Sequence, residues 1–154
     1  MERNLDLFLQ NVKNLKDTEL VLIKCHLFLE TCIYEGIGNL VEDIKCVDEM
    51  RLMFNNKRLM LNSLLPNVET SYWQFCITIN KVRNSMAHRL DYDRKTILSD
   101  ISKAAANVLG YSVKSRNNKT INNQIIKATM FVGGLLVGHS SGKSIASRLT
   151  SRSS

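Results

Sequence analysis

One proline in 154 residues, Pro66, and little alternation of β-branched with polar residues argue against a sheet sandwich and favour helices. The four cysteines, Cys25, Cys32, Cys46 and Cys76, contain no C-x-x-C pair and mostly fall within apolar runs. Adjacent side chains such as Cys25 and His26 diverge by about 100° on a helix, so with Cys32 they do not compose a zinc site. The N-terminus is amphipathic and contains acids, unlike a secretory leader. Reduced, buried thiols in a cytoplasmic protein are therefore expected. The longest apolar run of the C-terminal third, Ala128 to Gly138, is too short to span a bilayer and follows Lys127. No membrane segment, metal site or other cofactor is expected, and no internal repeat is apparent.

Acid is missing from one part of the chain only. All 14 Asp and Glu lie in residues 1–100, against 13 of the 21 Lys and Arg. Residues 101–154 hold the other 8 cations and no acid, for a net charge of +8. Such a segment is either a surface for a polyanion, through counterion release from phosphates, or a solubilising tail. The rest is ordinary globular composition, 44% apolar and 23% charged, in a chain long enough to bury one core without staples.

Apolar spacing places the helices. Leu5, Phe8, Leu9, Val12 and Leu15 recur every three or four residues over 4–15, with Asn4 as the expected cap. Asp17-Thr18 reads as the next N-cap, and the helix that follows is apolar nearly all round from Leu20 to Ile33, as a central buried helix must be. It should end near Gly36-Ile-Gly38. Residues 39–50 read as a loop or helical turn, and a helix over about 56–65 stops at Pro66. The key helix runs from Thr70 to Ala87. A further one spans Ile97 to Leu109 and is closed by Gly110. Residues 121–137 could form a last helix, although Gly133-Gly134 weakens it by about 1 kcal/mol per glycine. From His139 the chain is Ser-rich and reads as a mobile tail. His26, inside the buried helix, reads as a satisfied core histidine.

The expected fold is thus all-α: an antiparallel bundle of four to five helices over residues 1–110, followed by a basic C-terminal helical extension over 111–154. Gly138-His-Ser-Ser-Gly-Lys-Ser144 is not a phosphate-binding loop. It has three residues between its glycines where four are needed, and Val137 stands where the first glycine belongs. Asp91 and Asp93, lying between arginines, are charge partners rather than a catalytic carboxylate pair.

The densest reactive chemistry is Lys81-Val-Arg-Asn-Ser-Met-Ala-His88, followed by Arg89. On a helical wheel with Arg83 at zero, Tyr72, Phe75, Cys76, Ile79, Val82 and Met86 fall between about −100° and +20°. That is a core face. Asn80, Asn84, Ala87 and His88 fall between about +40° and +140°, an outward sector, with Arg83 on its border. Packing of the core stripe would therefore fix the rotation and present Asn84 and His88 together, one turn apart.

In this stretch the chain resembles the HEPN superfamily of small helical domains, whose signature is an arginine and a histidine four to six residues apart near a helix end. Here it reads Arg83-Asn84-Ser-Met-Ala-His88, the Arg-Asn-x-x-Ala-His form, and the likeness covers roughly residues 5–110. The resemblance implies a metal-independent endoribonuclease that acts as a homodimer on RNA, of the toxin or phage-defence type, with an antitoxin as a further partner. It implies catalytic roles for Arg83, Asn84 and His88. Arg89, Lys81, Arg116 and Lys119 would bind substrate. Imidazole suits proton transfer near neutral pH, and guanidinium suits phosphate oxygens. Leu90 stands where many toxin-type members carry a tyrosine two residues after the histidine; Tyr92 lies two further on. The alternative reading is a non-catalytic helical regulator or nucleic-acid-binding module of the same fold.

Overall fold

Aspartate side chains start three of the helices. In the computed structural model, which describes residues 2–88, 93–112 and 117–150 (side chains through 142), Asp17 accepts from the amides of Glu19 and Leu20. Asp43 accepts from Lys45 and Asp93 from Lys95 and Thr96. Each satisfies amides that a first turn leaves without intrahelical partners. The described residues form seven helices: α1 Glu2–Val12, α2 Thr18–Gly38, α3 Ile44–Glu49, α4 Phe54–Leu64, α5 Thr70–His88, α6 Arg94–Leu109 and α7 Asn118–Thr150. Pro66 follows the end of α4, and Gly110, at φ 72°, closes α6 in the left-handed conformation that glycine adopts without penalty. Asn4 is not a cap. It lies inside α1, and its amide reaches Glu35 on α2 at 3.4 Å. Among the described residues there is no strand, and no helix is long and apolar enough to cross a membrane.

Helix α2 is the spine, with Val21, Leu22, Cys25, Leu29, Cys32, Ile33 and Ile37 all buried. α2, α5, α6 and α7 form a closed ring in which each packs on two others. α4 lies across α2 and α5, and α1 lies on α2 through Phe8 stacked on Phe28 at 4.4 Å. So the ring has four helices, but flanking elements raise the described total to seven.

Three expectations are corrected here. First, the C-terminal helix is not an appendage: Ile125, Ala128, Val132 and Leu136 form a fully buried stripe in the same core, packed on α2. Lys119 and Lys127 are exposed on its other face, and a charge total does not separate faces. Second, the bundle is not antiparallel throughout. The pairs Asn122–Lys16, Gly133–Cys32 and Ser140–Asn39 rise together, so α2 and α7 run parallel. Third, the Ser-rich end continues as helix to Thr150, with Ser140 buried and held by the Asn39 amide at 3.0 Å.

Gly133 explains how the two helices come so close. A Cβ there would lie 2.8 Å from both Cys32 Sγ and Phe28 Cε1. Its backbone penalty of about 1 kcal/mol is outweighed by burial of Ile125, Val132 and Leu136, worth about 1.5–3 kcal/mol each. Gly133→Ala should therefore destabilise the protein by about 1–3 kcal/mol in denaturant unfolding, despite alanine's better helix propensity. Unchanged or increased stability would show that the interface has room to spare.

Candidate active site at the end of helix α5

The rotation of α5 is set by Phe75, Cys76, Ile79 and Val82, all buried, with Tyr72 and Met86 half-buried beside them. Trp73, at about +80° on the wheel, is buried as well, which apolar periodicity alone did not indicate. The polar sector is thus not open along its whole length. It is covered at Trp73, half-covered at Asn80, and open at Asn84, Ala87 and His88.

Asn80 is the hinge between the covered and open parts. Its Oδ1 lies 3.1 Å from Nε2 of His26 on α2. An amide oxygen can only accept, so the neutral imidazole donates from Nε2. The His26 ring also lies against Phe54 of α4, with centroids 4.5 Å apart, and the residue is only 6% exposed. Burial holds this imidazole below its ordinary value of 6.5, and the nearby Arg83 charge pushes the same way. The Asn80 bond and Glu30 oppose burial, each less strongly than burial itself but more strongly than Arg83 assists it. His26 is therefore the satisfied core histidine that its sequence position suggests, and it ties α2, α4 and α5 together one turn below the motif.

Above it, Arg83 Nη1 donates to Asn84 Oδ1 at 3.1 Å, and both side chains are exposed. His88, one turn beyond Asn84, is exposed on the last residue of α5. Ala87 between them is also exposed and leaves the backbone approachable. The three candidate catalytic residues therefore share one solvent-facing sector. Lys81 is exposed on the same helix. Lys119 lies in the first turn of α7 and lines a cleft with Lys13 and Lys16, to which none of Arg83, Asn84 or His88 contributes. Arg89, Leu90, Tyr92 and Arg116 lie outside the described residues.

Chemically, the sector offers a guanidinium for an anion, an amide that orients it, and an imidazole for proton transfer. The buried thiols offer no nucleophile, since burial pushes Cys25, Cys32 and Cys76 up to about 12. No three His, Cys, Asp or Glu side chains converge as metal ligands among the described residues. On α2, Leu20, Ile23 and Leu27 form an exposed apolar strip at three- and four-residue spacing. Ile23 lies about 60° round that helix from His26. Comparison with family models, with curated proteins and with solved structures gives no match.

Because His26 is held neutral in the fold, the unfolded chain takes up a proton first as pH falls below about 6.5. Its contribution to stability is present above that pH and is lost below it. His26→Gln should be less stable than wild type at pH 7 by about 1–2 kcal/mol, and the gap should narrow at about pH 5. Urea melts at the two pH values measure this directly. A constant gap would show that His26 titrates alike in both states.

Proposed function

We propose that this chain is a metal-independent endoribonuclease, acting as a homodimer of the toxin or phage-defence type. The observation that carries the reading is the exposed set Arg83, Asn84 and His88 on one sector of α5, with Arg83 already oriented by Asn84. The resemblance to the HEPN signature supports it. Cleavage begins when His88 takes the proton of the ribose 2′-hydroxyl, whose oxygen then attacks the adjacent phosphorus. Arg83 binds the phosphate oxygens that gain negative charge in the transition state, which a planar fork of donors suits. The leaving 5′-oxygen must receive a proton, and one imidazole serves poorly as both base and acid. His88 of the partner subunit supplies the second group if two motifs face one cleft. The exposed strip of Leu20, Ile23 and Leu27 is a surface that such a dimer could cover. An antitoxin protein is the kind of partner that would restrain the activity.

The test is RNA cleavage by purified protein between pH 6 and 8 with chelator present. His88→Ala should lower the rate by about 10²–10⁴-fold, and Arg83→Ala by about 10²–10³-fold, with folding unchanged because both side chains are exposed. Absence of cleavage, or cleavage undiminished in His88→Ala, would overturn the reading. A non-catalytic nucleic-acid-binding module is the second reading, favoured by the exposed lysines of α7. It predicts binding that weakens steeply with salt and survives His88→Ala.

A further inference from the structure

A second site, away from the motif, lies where the connection between α1 and α2 meets the start of α7. The cleft there has a volume of about 520 Å³, within the range of roughly 300–1,000 Å³ that small-molecule sites occupy. Three lysines, Lys13, Lys16 and Lys119, line it, and no carboxylate does. Asp17, the acid nearest in sequence, has its side chain engaged in capping α2. The positive end of the long α7 dipole adds to the potential. Asn117 caps that end, its Oδ1 accepting from the Lys119 amide at 2.9 Å. Cations and a helix start alone would mark only an electropositive surface.

Asn122 makes it more specific. It lines the cleft and is 2% exposed. Its Nδ2 donates to the carbonyl of Lys16 at 3.4 Å. That carbonyl can only accept, so the amide orientation is fixed and Oδ1 is the atom left over. Oδ1 is buried and has no hydrogen-bond partner. An unsatisfied buried acceptor is destabilising, and a ligand donor would satisfy it. An ionised phosphate oxygen cannot provide that donor, whereas a sugar hydroxyl or a base N–H, set apart from the anion, can.

We infer that this cleft binds a nucleotide, its phosphate held by Lys13, Lys16 and Lys119 and a hydroxyl or base N–H donating to Asn122 Oδ1. The two requirements, anion and a donor set apart from it, are met within one cleft; an uncharged nucleoside lacks the anion, and inorganic phosphate has only the P–OH of the anion itself. The nucleotide is either free or part of an RNA strand; the chemistry is common to both. The inference does not depend on the ribonuclease reading.

Amide chemical shifts of residues 117–123 in the full-length protein, followed during titration, provide the test. Adenosine monophosphate should bind saturably and at least about tenfold more tightly than inorganic phosphate or adenosine. The double variant Lys16→Gln/Lys119→Gln should weaken it by at least about tenfold, and Asn122→Leu should bring it down to the level of inorganic phosphate. Should Asn122→Leu fail to fold, the exposed lysine pair still carries the test. His88→Ala should bind as wild type does, which separates this site from the motif. A short oligoribonucleotide binding more than about tenfold tighter than the monophosphate assigns the cleft to an RNA strand; equal binding assigns it to the free nucleotide. Shifts absent up to about 10 mM, equal affinity for phosphate and nucleotide, or affinity unmoved by the lysine variant would each overturn the inference.

Discussion

Helix α2 is apolar nearly all round, and an element of that kind must be enclosed. Most of the architecture follows from meeting that constraint, save along the exposed strip of Leu20, Ile23 and Leu27. α7 encloses one side, approaching closely at Gly133 against Cys32 and Phe28. α1 covers another through Phe8, and α4 and α5 cover the side that carries His26. The His26–Asn80 bond then joins spine to motif helix within a partly buried region, where losing one partner strands the other. With α5 held in that rotation, Arg83, Asn84 and His88 are left exposed.

Much of this was legible in the residues themselves. Asp17, Pro66 and Gly110 mark helix ends for local reasons of capping and backbone geometry. The stripe from Phe75 to Val82 identifies the buried side of α5 because period and burial are tied. What the residues could not show is which face meets which partner. Trp73 is covered although its wheel position is shared with polar side chains, since flanking helices close that end. α7 looked peripheral because its charge was summed over a whole helix, while Ile125, Val132 and Leu136 all turn inward. Its parallel course beside α2 depends on pairs such as Asn122–Lys16 and Ser140–Asn39, about a hundred residues apart, and no local pattern encodes them.

The candidate site divides in the same way. Arg83, Asn84 and His88 come together because they lie within two turns of one helix, where spacing is geometry. Lys119 was grouped with them on charge alone, and the fold instead places it with Lys13 and Lys16. Asn122 gave no signal in the sequence: its interest arises only from being buried with an unpartnered oxygen. Local chemistry was readable, while convergence of distant residues was not.

The proposed reaction leaves a chemical record on its product. Attack by the 2′-hydroxyl ends one fragment in a 2′,3′-cyclic phosphate, or the phosphate it hydrolyses to, and the other in a 5′-hydroxyl. Mass spectrometry of the fragments from a short defined RNA, cut by purified protein in chelator, distinguishes these ends. Cyclic phosphate and 5′-hydroxyl termini that disappear with His88→Ala are the predicted result. Fragments ending in 3′-hydroxyl and 5′-phosphate would contradict it, because they require attack by water rather than by the RNA itself.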